Sequence, residues 1–293
     1  SPTATTAPTS SVVPAERPTV PTPTVTSAPT ATAKPTATPM PWWAEQLLGY
    51  SVQGQPIKSN RIGTGPRWFV VLGAIHGGHE CNTFGLVEAL IQRLRRPASE
   101  REPALIPDDV TLYMVPVVNP DGCTMDTRTN ARGVDLNRNW RTDDWIADAN
   151  GPFGVIAGSG GPYPLSEPET LAISQWLLTL QEQSPSSLVR IISYHSAVPN
   201  TGLVQPAYDL NGQPESLSSA MAELYAAVAD YRYSVDWVGN YDTTGEFIHW
   251  VGLNGFVAID VELPDREPAD TIPFGWPTNH IETNLAALLA ILE

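Results

Sequence analysis

Two histidines, two glycines and a glutamate follow one apolar, strand-like run of the sequence. The run is WFVVLGAI (68–75), and the segment HGGHE (76–80) comes directly after it. A core strand gains nothing from such a cluster, whereas histidine nitrogens and carboxylate oxygens are common zinc ligands. The two glycines allow the backbone to turn tightly, so that His76 and Glu80 can share one ion. We therefore predict a metal site on this loop.

His195 is the best-placed source of a third ligand. Catalytic zinc sites have three protein ligands and keep a fourth position open. The strand-like run 188–194 ends directly before His195, which places this imidazole at the edge of a predicted sheet. An isolated histidine is more often structural, but the HGGHE segment favours the metal interpretation.

Hydrolysis at a metal also needs a base for the attacking water and a group that stabilises the oxyanion. Glu262 ends the apolar run 256–262, where a carboxylate is costly to bury without a role. The alternative is an ordinary acid at a strand end. We predict that Glu262 is the base.

A cluster of arginines lies in and directly after the segment TRTNARGVDLNRNW (127–140). Four of the sixteen basic residues of the chain fall within fourteen positions here. Bidentate pairing with a carboxylate is the use that this pattern favours, and a basic loop that offsets nearby acids is the alternative. The candidate residues are Arg128, Arg132, Asn137, Arg138 and Arg141.

The elements around these residues predict an α/β sandwich. Near-continuous apolar runs are typical of strands that are covered on both faces. Each run ends in polar residues, and chemistry gathers at the carboxyl ends of such strands. The predicted strands are 68–75, 111–118, 188–194 and 256–262, with a hairpin over 49–65. The predicted helices are 82–96, 166–183 (opened by a capping box, Ser166 to Glu169), 215–231, 245–251 and 278–292.

Residues 1–41 differ in composition from residues 42–293. The first segment contains ten prolines and twelve threonines and no aromatic residue, so little apolar surface can offset the cost of ordering it. We predict a disordered stalk at 1–41 and one catalytic domain at 42–293. Such stalks are often glycosylated outside cells, so we expect a secreted or cell-surface protein whose signal peptide is absent from this sequence.

The net charge of the chain limits the binding partners that we expect for it. The formal charge is −15, which argues against nucleic acid or an anionic membrane surface as a partner. No run approaches the roughly 20 apolar residues that cross a bilayer.

Cys81 and Cys123 each follow a strand-like run and can form a disulfide bond if those strands are neighbours. The sequence leaves this pairing open, and it leaves the oligomeric state open as well.

Four motifs in order resemble the zinc metallocarboxypeptidases of the carboxypeptidase A type. They are NPDG (119–122), GVDLNRNW (133–140), YHS (194–196) and VEL (261–263). The resemblance extends from about residue 49 to the C-terminus. It implies a mixed, mostly parallel eight-stranded sheet flanked by helices, and one catalytic Zn²⁺ ion. The site residues that it implies are the ligands His76, Glu80 and His195, the acid/base Glu262, the oxyanion-stabilising Arg128, the carboxylate-binding Asn137 and Arg138, and the substrate-capping Tyr241.

The sequence departs from the family at the first two ligands. The family usually spaces them His-x-x-Glu, whereas here His76 and Glu80 are four positions apart. A His-x-x-His interpretation would make His79 the ligand. We prefer Glu80, with one residue looped out through the glycines.

The sequence indicates the type of reaction more clearly than it indicates the substrate. Glu246, in the segment YDTTGEFIHW (241–250), is either a receptor for an amino-bearing side chain or an acid favoured at a helix N-terminus. We expect an extracellular zinc carboxypeptidase that acts on peptides with a free carboxylate. The alternatives are a peptidoglycan stem-peptide hydrolase of the bacterial secreted branch (a γ-D-glutamyl-diaminopimelate or D,L-carboxypeptidase), a zinc amide deacylase, and a non-catalytic binding module.

Overall fold

The structure is a computed structural model that describes residues 42–95, 104–151, 154–239, 241–265 and 278–293. The predicted stalk, 1–41, lies outside the described residues. The strands are β1 (Trp43–Tyr50), β2 (Pro56–Gly63), β3 (Arg67–Leu72), β4 (Val110–Val115), β5 (Asn150–Gly151), β6 (Gly154–Val155), β7 (Val189–Ser196), β8 (Leu203–Pro206), β9 (Arg232–Tyr233) and β10 (Val257–Leu263). The helices are α1 (Asn82–Leu94), α2 (Pro120–Met125), α3 (Pro168–Gln183), α4 (Ser216–Ala229), α5 (Phe247–Leu253) and α6 (Thr278–Leu292), and short 3₁₀ helices cover Gly78–Cys81 and Leu136–Arg138.

The main sheet has eight strands in the order β1-β2-β4-β3-β7-β10-β8-β9. The central pairs β4/β3, β3/β7 and β7/β10 are parallel, as is β8/β9, and the other pairs are antiparallel. β5 and β6 form a separate two-stranded sheet. This confirms the predicted α/β class and the mixed eight-stranded sheet.

The central strands are apolar throughout because both of their faces are covered. On β3, Phe69 and Val71 join a core that includes residues of α1, α4 and α6, whereas Val70 and Leu72 join a second core with residues of α3 and α5. Alternate side chains of a strand point to opposite faces, so an apolar run without alternation is what two cores require.

Several predicted boundaries are shifted. The hairpin begins at Trp43 rather than at 49, and α5 begins at Phe247. The predicted capping box is wrong: α3 begins at Pro168, and its N-cap residue makes no side-chain capping bond. The Glu169 carboxylate instead accepts hydrogen bonds from Val52 N and Asn130 Nδ2, so tertiary partners prevail over the local motif.

Within the described residues, no helix combines the length and the apolar character that crossing a membrane requires.

Candidate metal centre and substrate cavity

Three neighbouring parallel strands deliver the candidate residues to one edge of the sheet. β3, β7 and β10 are adjacent and parallel, so their carboxyl ends lie together. The chain after β3 carries His76 and Glu80, and β7 carries His195 near its end. Glu262 on β10 lies in register with His195.

Glycines shape the turn that carries the first two candidate ligands. A Cβ atom on Gly77 would collide with the backbone of Gly122 and Thr127, and Gly78 has φ = +61°. Both positions therefore favour glycine, one for close approach and one for its left-handed backbone. The chain then enters the 3₁₀ helix Gly78–Cys81, so Glu80 lies on a helical turn rather than on an open loop.

A disulfide bond attaches this turn to the neighbouring helix. Cys81 and Cys123 are bonded, with their Cα atoms 5.7 Å apart. Cys81 ends the 3₁₀ helix that carries Glu80, and Cys123 lies in α2. The pairing that the sequence left open therefore links the ligand-bearing turn to α2.

His76, Glu80 and His195 converge on one point. His76 Nδ1 lies 2.9 Å from Glu80 Oε2, and His195 Nδ1 lies 3.6 Å from the same oxygen. One ligand atom from each residue lies within 4.8 Å of the other two, and all three residues are buried. Two imidazoles and one carboxylate form a donor set that suits a catalytic zinc ion, which binds such atoms at about 2.0–2.2 Å. His79 is exposed and lies outside this group.

Asp135 orients His76 and was missed in the sequence. His76 Nε2 lies 3.0 Å from Asp135 Oδ1, which favours the tautomer with its proton on Nε2 and leaves Nδ1 free for a metal. Burial alone would raise the pKa of Asp135, but the charges of Arg128 and His76 outweigh burial and hold it well below its usual value. The available signal was its position inside GVDLNRNW.

The centre has a negative potential that suits a cation. Burial lowers the pKa of His195, but the carboxylates of Asp260, Glu80 and Glu262 outweigh burial and raise it to about 9. Surroundings that hold a proton on a buried imidazole also favour a metal cation in its place.

Glu262 lies beside the three candidate ligands and lines the same cavity. Burial, with smaller contributions from the charges of Glu80 and Asp260, raises the pKa of Glu262 to about 7. A carboxyl group with such a pKa exchanges protons readily near neutral pH.

Arg128 spans two carboxylates at the centre. Its Nη1 lies 2.5 Å from Glu80 Oε1, and its Nε lies 2.8 Å from Asp135 Oδ2. Its side chain is partly exposed to the cavity. Both acids hold the guanidinium group at the cavity wall, where it can donate hydrogen bonds to a substrate oxygen.

Arg138 is a buried cation in the same cavity. Its side chain is 2% exposed, and it donates hydrogen bonds to the carbonyl oxygens of Asn150 and Asn137. Nη1 of Arg138 also lies 3.2 Å from Glu246 Oε1. Glu246 is the N-cap residue of α5 without a side-chain capping bond, so its carboxylate is directed to Arg138. Tyr241 packs with its ring centroid 6.0 Å from Arg138 Cζ.

Asn137 connects this region to α5. Its Oδ1 accepts a hydrogen bond from Phe247 N at 2.8 Å, so it helps to fix the start of the helix. Arg132 does not line the cavity and pairs with Glu167 instead. Arg141 is exposed and does not line the cavity either.

One cavity of about 500 Å³ is lined by all the predicted site residues except Arg132 and Arg141. It contains the candidate ligands, Glu262, both cavity arginines, Asn137, Tyr241 and Glu246. Further acids line it, and Asp260 is the most buried of them.

A second group of potential metal ligands consists of Asp143, Asp144 and His249. Asp143 is exposed and the other two are partly exposed. Asp144 accepts hydrogen bonds from Thr142 Oγ1 and Gly245 N. His249 Nδ1 lies 3.4 Å from Asp144 Oδ2, so an ion pair accounts for the approach of these two side chains.

Comparisons with known proteins agree with this geometry. The sequence pattern of the zinc carboxypeptidase family matches this chain over residues 42–283. Murein peptide amidase A from Escherichia coli K12 is 28% identical over 203 residues, which are 67% of this chain and 70% of that protein. Human carboxypeptidase A6 is 25% identical over 178 residues, covering 52% of this chain and 39% of that protein.

Solved structures share the fold. A murein-tripeptide amidase from Escherichia coli O157 superposes with a TM-score of 0.58 at 22% identity, covering 84% of this chain and 91% of its own. Thrombin activatable fibrinolysis inhibitor superposes with a TM-score of 0.62 at 18% identity, covering 86% of this chain and 68% of its own.

Proposed function

The chain belongs to the zinc carboxypeptidase family and is a zinc-dependent peptide hydrolase, and we propose that it removes the last residue of peptides that end in a free carboxylate. The observation that carries this proposal is Arg138, a buried cation in the cavity that also holds His76, Glu80 and His195. A fixed guanidinium group next to a hydrolytic centre favours substrates with a carboxylate at that side of the scissile bond. Such a site acts at chain ends.

His76, Glu80 and His195 would hold the ion through His76 Nδ1, His195 Nδ1 and a Glu80 oxygen. When bound, zinc supplies Lewis acidity and lowers the pKa of a water molecule at the site. Asp135 keeps His76 oriented through Nε2.

Glu262 acts as the base and then as the acid. Its carboxylate takes a proton from the attacking water as the new C–O bond forms at the scissile carbonyl carbon. The same proton passes to the leaving nitrogen as the C–N bond breaks. Arg128 donates hydrogen bonds to the carbonyl oxygen while negative charge develops there.

Arg138 and Asn137 bind the terminal carboxylate, and Tyr241 covers the bound residue. The substrate carboxylate pairs with Nη2 of Arg138, because the contacts to Asn150, Asn137 and Glu246 use only Nε and Nη1.

Two peptides that differ only at their C-terminus test this proposal. With the zinc-loaded protein, we expect release of the last residue from the free acid and at least about 100-fold slower hydrolysis of the C-terminal amide, because the amide cannot pair with Arg138. Mass spectrometry of the products gives the cleavage position. Internal cleavage, or equal rates on both peptides, would contradict the proposal.

A peptidoglycan stem peptide is the second candidate substrate. The similarity to murein peptide amidase A over two thirds of this chain favours it. Parallel assays with a muropeptide and an ordinary peptide of equal length separate the two candidates. A higher kcat/KM on the muropeptide would identify the cell-wall substrate.

We also propose that the protein acts outside the cytoplasm. The Ser/Thr/Pro-rich composition of residues 1–41 and the Cys81–Cys123 disulfide support this location. Fractionation of cells that produce the native protein tests it, and recovery in the cytoplasm alone would contradict it.

A further inference from the structure

Asp260 is a buried carboxylate on the cavity wall with an unsatisfied oxygen. The residue is 8% exposed and lines the cavity. Among the described residues, its Oδ1 atom has no hydrogen-bond partner. His195 Nε2 is 3.8 Å away, beyond hydrogen-bond reach, and lies closer to Ser193 Oγ, at 3.1 Å. A buried carboxylate oxygen without a partner is costly, which indicates that a ligand satisfies it.

The sheet places Asp260 one step below the reacting centre. In the parallel register, Glu262 pairs with His195 and Asp260 pairs with Ser193. Residues two apart on a strand share a face and lie roughly 7 Å apart. The Asp260 row therefore lies about one side-chain length deeper than the catalytic row.

On its other side, Asp260 pairs with Gln205 of β8. Gln205 also lines the cavity, but its Nε2 donates to Val235 O. The row thus consists of Ser193 on β7, Asp260 on β10 and Gln205 on β8. Asp260 is the one acidic residue among these three. Asp260 and Gln205 line the cavity from this row, and their polar groups suit a polar end group of a substrate side chain.

The cations of the cavity are directed to other carboxylates. In the described part of the chain, Arg128 pairs with Glu80 and Asp135, and Arg138 pairs with Glu246. Glu246 is therefore a poor receptor for a basic side chain, because Arg138 already neutralises it. Asp260 has no arginine or lysine partner among these pairs.

We infer that Asp260 binds the ammonium or guanidinium group at the end of the substrate's terminal side chain, and so determines specificity for cationic residues. This inference rests on the proposed function, because it places the terminal side chain in the cavity below the catalytic row. The competing role for Asp260 is purely positional, as a partner of His195 through Nε2. The two roles differ in what they predict for uncharged substrates.

Peptides that end in lysine or in norleucine, matched in length and sequence, separate the two roles. We expect the zinc-loaded wild type to favour lysine at least about 10-fold in kcat/KM, since a desolvated charge pair is worth that much or more. Asp260→Asn should lose at least about 10-fold on lysine and less than about 3-fold on norleucine. Glu223→Gln, which removes an exposed charge on α4, controls for net charge and should change neither rate. Equal losses on both peptides, or no preference in the wild type, would overturn the inference.

Binding measurements separate this inference from the proposed function. Calorimetry with Nα-acetyl-lysine and Nα-acetylnorleucine needs no turnover and no variant. If the wild type hydrolyses neither peptide but still binds acetyl-lysine more tightly, the proposed function fails and Asp260 remains a cation-binding residue. Equal affinities for the two compounds would overturn the inference even if Asp260→Asn does not fold.

A third substrate identifies the source of the cation. Peptides that end in lysine and in meso-diaminopimelate present the same ammonium group, but the second adds a carboxylate to the side chain. Higher kcat/KM on diaminopimelate that falls in Asp260→Asn indicates a cell-wall peptide, and the reverse preference indicates ordinary peptides. Whichever of the two peptides is preferred, we expect Asp260→Asn to lose the preference for a side chain that ends in an ammonium group. If Asp260→Asn keeps that preference with both peptides, the inference is wrong.

Discussion

The imidazole of His76 is held from both sides. Nδ1 faces Glu80 and Nε2 faces Asp135, while Arg128 connects the two acids. Burial alone would raise the pKa of Glu80, but His76 and Arg128 outweigh burial and hold it well below its usual value. Glu80 is thus an ionised ligand at neutral pH, which is the form that binds a metal.

The Glu80 carboxylate should be essential for zinc binding. We expect Glu80→Gln to lose zinc, because an amide oxygen is a weaker, uncharged ligand and leaves Arg128 without one of its two anions. His79→Ala is the matched control, since His79 is exposed and lies outside the cluster. Metal content after dialysis measures both. Retention of zinc by the glutamine variant would assign the third ligand elsewhere.

Glu262 should set the acid side of the pH profile. Its pKa is raised to about 7, chiefly by burial, and the base must be deprotonated to act. Activity should therefore rise with pH through that pKa and then level off; a bound cation shifts the midpoint downward, so the midpoint should lie at or below 7. The profile of kcat/KM measures it.

The Glu262→Gln variant provides the control for that profile. We expect it to keep its zinc and lose on the order of 10³-fold in kcat, which is the usual contribution of a general acid/base. Loss of zinc together with activity would instead indicate a structural role for Glu262.

At the scale of elements, the ligand-bearing turn depends on its attachment to α2. The Cys81–Cys123 bond joins two residues that are 42 positions apart in the sequence. Replacing both cysteines with serine should lower the free energy of unfolding by about 4 kcal/mol and weaken zinc binding, because the turn carries Glu80. Urea denaturation of the zinc-loaded protein and zinc titration measure the two effects. Unchanged zinc affinity would show that the glycines and α1 alone position the turn.

The sheet and its active edge were predictable because they depend on local patterns. Apolar runs without alternation indicate strands with two covered faces, and polar residues at their ends mark the catalytic edge. Partners that are distant in sequence were not predictable. Asp135 reaches His76 only after the chain from Arg128 folds back onto the ligand turn, and Glu246 finds Arg138 across 108 positions.

Asp260 illustrates the same limit within one strand. In the sequence it is an acid inside an apolar run, and only the register with Ser193 and Gln205 places it on the cavity wall. The capping box at Ser166 failed for a related reason, because Glu169 has tertiary partners that its local sequence does not reveal.

At the scale of the whole molecule, residues 42–293 contain every residue of the proposed mechanism. We predict that a protein lacking residues 1–41 keeps its melting temperature within about 2 °C. A loss of about 1 kcal/mol in the free energy of unfolding lowers the melting temperature of a domain by a few degrees, and we expect removal of this segment to cost less than that. Its kcat/KM on short peptides should also be unchanged. Thermal unfolding and peptide assays of both forms check this, and a lower melting temperature would show that the first segment contributes to the fold.

The central claim is that His76, Glu80 and His195 hold one zinc ion beside Glu262. An anomalous difference map from crystals measured at the zinc absorption edge tests it most directly. We predict one strong peak bonded to His76 Nδ1, His195 Nδ1 and the Glu80 carboxylate at about 2.0–2.2 Å. A peak at His79 or at the Asp143, Asp144 and His249 cluster, with none among these three residues, would contradict the claim.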